Sequence, residues 1–167
     1  MRKFISLALF TLGLGLATTT WAEEHAPVVV GTLEISGGFA RATLPNAPVG
    51  GAYLTIVNNG TEADRLVGAS TPLAGMTMLH EMSMQGGMMR MQNLPEGIEI
   101  PAGARVELSP GGLHIMFSAL AAPLREGGML PIPSRSARAG EVALDLPIGA
   151  INAKAAPGAA EMDHGAH

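Results

Sequence analysis

Apolar and polar residues alternate along this chain in short runs, and the runs return about every ten residues between clusters of Gly, Pro, Asn and Asp. A period of two predicts strands, because successive side chains on a strand point to opposite faces. Candidate strands are residues 28–35, 37–42, 52–57, 65–69, 76–84, 88–94, 105–108, 113–117 and 141–146. Short strands at this spacing predict an all-β fold, a Greek-key β-sandwich or barrel. Asn58-Asn59-Gly60 and Gly86-Gly87 are the strongest turn signals. Pro131 and Pro133 demote the segment around Ile132 to an edge strand or a loop, since proline cannot donate to a ladder. One helical turn is expected over 118–126, where Leu120, Pro123 and Leu124 interrupt the strand pattern. No internal repeat is present.

The two ends break the pattern. Met1-Arg2-Lys3 precedes an apolar stretch from Phe4 to Ala17, and the small-residue site Thr20-Trp21-Ala22 stands before Glu23. That order reads as a secretory signal peptide over residues 1–22, which places the mature protein in the periplasm. Residues 23–149 then form one domain. Residues 150–167 are rich in Ala, Gly and Pro and lack the periodicity to join a core, so they are expected to form a mobile tail. No later apolar run approaches the roughly 20 residues of a membrane span, so no membrane insertion is expected after cleavage.

The formal net charge of −4 becomes more negative once Arg2 and Lys3 are removed, and no basic block remains. Beyond residue 22 the aromatics are Phe39, Tyr53 and Phe117. Nucleic acid is therefore not an expected partner. There is no cysteine. An exported chain without cysteine has no disulfide and no thiolate ligand, which excludes a blue-copper electron carrier and a Cys-x-x-Cys metal shuttle.

Against that absence stands a cluster of another sulfur. Residues 76–91 contain seven methionines and His80, and His114-Ile115-Met116 follows further on. Thioether sulfur is a soft neutral donor that suits Cu(I), and imidazole accepts either oxidation state of copper. Alternation puts Met78, His80, Met82 and Met84 on one strand face. A two-residue loop at Gly86-Gly87 would pair Met84 with Met89 and Met82 with Met91, on the same face and about 5 Å apart. His114 and Met116 likewise share a face. If their strand lies beside the hairpin, two histidines and two methionines converge; spacing alone does not bring the segments together. Met76 and Met88 read as packing or rim residues. The competing account makes all these methionines core filler, or an adaptable partner-binding surface without metal.

These residues also carry a resemblance. His80, ten residues, Met91, twenty-two residues and His114-Ile115-Met116 resemble the His-x10-Met…His-x-Met signature of the PCuAC-type periplasmic copper chaperones. Ala40-Arg41-Ala42, Gly51-Ala52-Tyr53, Leu79-His80-Glu81-Met82, Ile100-Pro101-Ala102-Gly103 and residues 109–116 are similar to that family as well, and the likeness runs from about Val28 to Gly149. It implies a cupredoxin-like β-sandwich that binds one Cu(I) at an exposed site through His80, Met91, His114 and Met116. It also implies delivery of copper for cytochrome c oxidase assembly, to an oxidase subunit or an assembly factor. Residues 130–138, with their prolines and serines, depart from a stretch where the family has strand.

Met82 and Met84 are further candidates, as capture ligands or as contacts for the acceptor. Cleavage after Ala22 would open the chain with Glu23-Glu24-His25, whose amine, amides and imidazole form a square-planar set suited to Cu(II). Met162, His164 and His167 give the tail the same potential. The chain is expected to be a monomer and not an enzyme: apart from Glu81, which reads as a solvated strand-face carboxylate, no general base is evident. A copper storage or detoxification protein is the alternative within copper binding.

Overall fold

Alternation in the sequence becomes alternation of burial. In strand β9 (Leu113–Leu120), Ile115 and Phe117 are completely buried, while Met116 and Ser118 on the other face are half-buried. The computed structural model describes residues 26–159, among which no helix occurs. Ahead of β9 come β1 (Val28–Val30), β2 (Leu33–Arg41), β3 (Val49–Asn58), β4 (Asp64–Ala69), β5 (Ala74–Gln85), β6 (Met88–Asn93), β7 (Ile98–Ile100) and β8 (Arg105–Leu108). After it come β10 (Met129–Pro131), β11 (Ser134–Ser136), β12 (Gly140–Val142) and β13 (Asp145–Gly149).

The larger sheet runs β10-β13-β2-β3-β9-β5-β6, with β1 paired to β2 and β8 to β3. The smaller runs β12-β11-β4-β7. Neighbours are antiparallel except β13 and β2, which run parallel. Leu54, Ile56, Ile115 and Phe117 from the larger sheet meet Leu66, Ile98 and Ile100 from the smaller, and Leu124, Ile132 and Leu144 complete the core from loops. Two sheets enclosing one apolar layer is the expected β-sandwich.

Several boundaries differ from expectation. Residues 28–35 split at a turn into β1 and β2, and β2 absorbs residues 37–41 through a bulge between Ser36 and Phe39. Residues 141–146 split between β12 and β13, which belong to different sheets. The helical turn over 118–126 does not form. Its amides find distant partners instead: the Ala121 N–H donates to Leu73 O at 2.9 Å, the Leu124 N–H to Thr43 Oγ1 at 3.0 Å, and Pro123 has no N–H to offer. Around Ile132 the prolines act as predicted for β10, an edge strand. β11, by contrast, lies inside the smaller sheet, because Pro133 falls just outside it and its missing donor is not needed there.

The stretch after Gly149 was expected to hang free, yet residues 150–159 fold back on the domain. Arg41 Nε donates to Ala153 O at 2.7 Å, and Ala153 and Pro157 close over Gly149. The signal peptide, His25, Met162, His164 and His167 lie outside the described residues.

Candidate metal centre

The hairpin β5–β6 turns at Gly86 and Gly87, both left-handed at φ +59° and +79°. This is the arrangement in which a two-residue turn matches the twist of its strands, and glycine adopts it without steric cost. The register that follows pairs Met84 with Met89 and Met82 with Met91, as the sequence predicts. On its other side β5 pairs with β9, which sets His80 opposite His114 and Met78 opposite Met116. The two segments that spacing could not join are thus adjacent strands.

Cross-strand partners share a face. Met78, His80, Met82 and Met84 from β5, Met89 and Met91 from β6, and His114 and Met116 from β9 therefore occupy one side of the larger sheet. Leu79, Ile115 and Phe117 project to the core on the opposite side and anchor the same strands. Core packing and site geometry are carried by alternate residues of the same short segments.

The imidazoles form the floor. His80 and His114 are each only 8% exposed, with ring centroids 5.6 Å apart and ring planes at 89°. His80 Nδ1 stands 2.9 Å from Met91 Sδ. His114 Nδ1 lies 3.0 Å from Gly112 O. A carbonyl only accepts, so Nδ1 carries the proton and Nε2 keeps a lone pair for a ligand. The turn that aims that carbonyl passes through Gly111 at φ +91° and is closed by Gly112 N–H donating to Ser109 O at 3.0 Å.

Burial holds His80 below the ordinary histidine value, and the charge that His114 can take lowers it further. His80 is accordingly neutral near pH 7, the form that ligates. The rim is thioether. Met91 is 53% exposed, Met84 and Met89 also face solvent, and Met78, Met82 and Met116 are half-buried. Across β9 from this cluster, Met116 faces Gly51 on β3, where the Tyr53 hydroxyl stands 3.1 Å from the position a Cβ would take.

Two features separate this patch from ordinary packing. No methionine belongs to the buried core, which is built from Leu, Ile, Ala and Phe117. Methionines used as gap-fillers would be found there. Nor do three His, Asp or Glu side chains gather anywhere among the described residues; the side chains around the two imidazoles are thioethers. Glu81 points away from the cluster by the alternation of β5. Alternation in the sequence puts Met78 on the face of His80, but only the register with β9 sets it against Met116 and makes it part of the cluster.

Comparison with known proteins locates the fold. The family model described as "Putative lipoprotein LpqE-like" matches residues 33–148. The chain is 37% identical over 84 residues to a protein described as "Putative lipoprotein Lxx21020" from Leifsonia xyli subsp. xyli, a match covering 50% of this chain and 51% of the relative, so the likeness spans about half of that protein's length. Among solved structures it resembles a copper-bound PCuAC domain from PmoF2, with TM-score 0.63 and 23% identity over 74% of this chain and 97% of that one. It also resembles the CuI-bound solution structure of DR1885 from Deinococcus radiodurans, with TM-score 0.56 and 28% identity over 79% and 85%. The first likeness speaks for fold alone, and that fold is the cupredoxin-like β-sandwich. The chain belongs to the LpqE-like family and shares the architecture of the PCuAC domains.

Proposed function

We propose that this protein is a periplasmic copper chaperone that binds one Cu(I) through His80, Met91, His114 and Met116 and hands it on for assembly of the copper centres of cytochrome c oxidase. The observation that carries this reading is the convergence of two buried imidazoles and exposed thioethers on one sheet face, with His80 Nδ1 2.9 Å from Met91 Sδ. The copper-bound PmoF2 domain and CuI-bound DR1885 support it, since both share this fold and carry copper.

Four neutral donors bind Cu(I) without adding charge, and soft sulfur disfavours Zn(II) and Mg(II). The imidazoles are held in place by burial, while Met91 sits at the rim. An acceptor's donors can therefore displace Met91 before His80 and His114, so the ion passes by stepwise ligand exchange with no change of oxidation state. An exposed rim favours delivery over storage, because a storage site gains by enclosing its metal. A transfer assay tests delivery: Cu(I)-loaded protein mixed with an apo oxidase copper domain should lose its metal to that domain. Retention against excess acceptor would make it a storage protein.

Export follows from the signal-like residues 1–22 and accords with the lipoprotein description of the family. None of these 167 residues is a cysteine, so none can carry a lipid on sulfur. Cu(II) sites at Glu23-Glu24-His25 and at Met162, His164 and His167 extend the proposal to the termini. Cu(II) spectra of a truncation after Ala159, which keeps the contact between Arg41 and Ala153, should show fewer bound equivalents. An unchanged stoichiometry would remove the tail from the mechanism.

A further inference from the structure

The four assigned donors do not account for the hairpin tip. Beyond Met91, the face that carries His80 continues through Met82, Met84 and Met89 to the turn at Gly86 and Gly87. Met84 and Met89 are direct cross-strand partners, 65% and 51% exposed. Met82, half-buried, lies two residues before Met84 and opposite Met91. Partners across a strand pair stand about 5 Å apart and next-but-one residues along a strand about 7 Å, distances that long thioether side chains close readily. Met88, although exposed, pairs with Gln85 and belongs to the other face with Ser83 and Arg90, so it is not part of this group.

Packing does not explain these side chains. They lie outside the buried core, and β6 is exposed along its whole length at the edge of the larger sheet. Edge strands are ordinarily blunted with charge, proline or short length, because an exposed apolar edge invites aggregation. Here the positions nearest the tip on the His80 face, Met84, Met89 and Met91, hold methionine and no charge, while Asn93 takes the far end of that face and Arg90 lies on the other. A glycine pair at the turn leaves the space beyond the tip open, with nothing within 4 Å of either position. The chemistry common to all three residues is the soft neutral donor.

We propose that Met82, Met84 and Met89 form a second, all-thioether Cu(I) site at the tip of the β5–β6 hairpin, one step from the histidine-lined centre. The site captures or releases Cu(I) by ligand exchange: on capture a thioether–copper bond forms as a bound water or incoming carrier's ligand leaves, on release an acceptor's ligand bonds copper as the thioether leaves, and copper remains Cu(I) throughout. Met91 and Met82 are cross-strand partners, so the ion moves between the two sites by exchanging one thioether for its neighbour. The relay role rests on the chaperone reading; the existence of the tip site does not. Three thioethers without imidazole should hold copper more weakly than the centre, which suits a point of exchange.

The experiment is an anaerobic Cu(I) titration of the mature protein labelled with 13C at the methionine methyls, followed by NMR. Comparison variants are Met84→Leu/Met89→Leu, which keeps the apolar surface while removing sulfur, and His114→Ala. The expected result is two equivalents: the first shifts the Met91 and Met116 methyls, and the second shifts Met82, Met84 and Met89. The tip variant should keep the first and lose the second, and His114→Ala should retain the second. One equivalent in both the parent and the tip variant, with Met84 and Met89 unmoved, would overturn the tip site and leave the chaperone reading intact. Binding at the tip alone would support the site and overturn that reading. No binding anywhere would overturn both.

Discussion

Two clusters of buried polar groups sit on this sandwich, and they differ in how much of their bonding capacity the protein itself uses. Around Asn58 and Asp64 the capacity is filled. Asn58, completely buried, donates from Nδ2 to Glu62 O at 2.8 Å and Ile100 O at 3.1 Å, and its Oδ1 accepts from Gly60 N–H at 2.9 Å and Thr32 Oγ1 at 3.2 Å. Asp64 accepts backbone N–H groups of Arg65, Arg138 and Ala139 at 2.7–2.9 Å, which ties β4 to the turn between β11 and β12. Around His80 and His114 the contacts within the protein are few and orienting: one carbonyl fixes His114, and one thioether touches His80. A polar cluster with every partner supplied locks the fold. One with so few internal partners contributes less to the fold and leaves lone pairs free.

Substitutions should separate the two regions cleanly. The largest loss of stability is expected in the core, at the fully buried Phe117: Phe117→Ala opens a cavity and should cost about 3–5 kcal/mol in denaturant unfolding. Asn58→Ala strands buried donors and acceptors on the β1–β2 turn, the β3–β4 loop and the end of β7 and should cost about 2–4 kcal/mol, with Cu(I) stoichiometry unchanged in the folded fraction. Met91→Leu should shift unfolding by no more than about 0.5 kcal/mol, because the side chain is exposed, while abolishing tight Cu(I) binding. A large stability loss in Met91→Leu would erase the distinction between the clusters.

Acid should distinguish them as well. Burial alone would raise the Asp64 pKa, but the three backbone amides and the Arg138 charge together hold it below the ordinary carboxylate value of 3.8. Its stabilising contribution is therefore complete above 3.8 and is lost as pH falls through the lower folded-state value. Asp64→Asn should flatten that part of the acid-unfolding profile. His80, held below 6.5, contributes fully above 6.5 and loses its contribution as pH falls through its depressed folded-state value. Its effect on stability should be the smallest of all, visible as a shallow decline that His80→Gln removes.

The same contrast explains what the sequence made legible. The hairpin was readable because Gly86-Gly87 supplies the two left-handed positions of a two-residue turn, and a turn of known length dictates every pair up to Met82 and Met91. The placement of β9 beside β5 was not readable, since a pairing between residues more than thirty apart depends on the whole topology. Short strands such as Ile98–Ile100 and Ser134–Ser136 have too few residues to show a period, and they are held by β4 instead of by their own pattern. Residues 150–159 look featureless because their anchors are a carbonyl bound by Arg41 and the small contacts of Ala153 and Pro157. Asn58 and Asp64 gave no signal beyond turn chemistry, because their partners are mostly backbone groups that no side-chain motif reveals.

The most direct test of the central claim is an anaerobic competition between the mature protein and a chromogenic Cu(I) chelator, run beside His114→Ala and Met91→Leu. The account predicts a tight equivalent in the parent that both variants lose while remaining folded. Failure of the parent to compete with the chelator, or full retention of that equivalent in both variants, would contradict it.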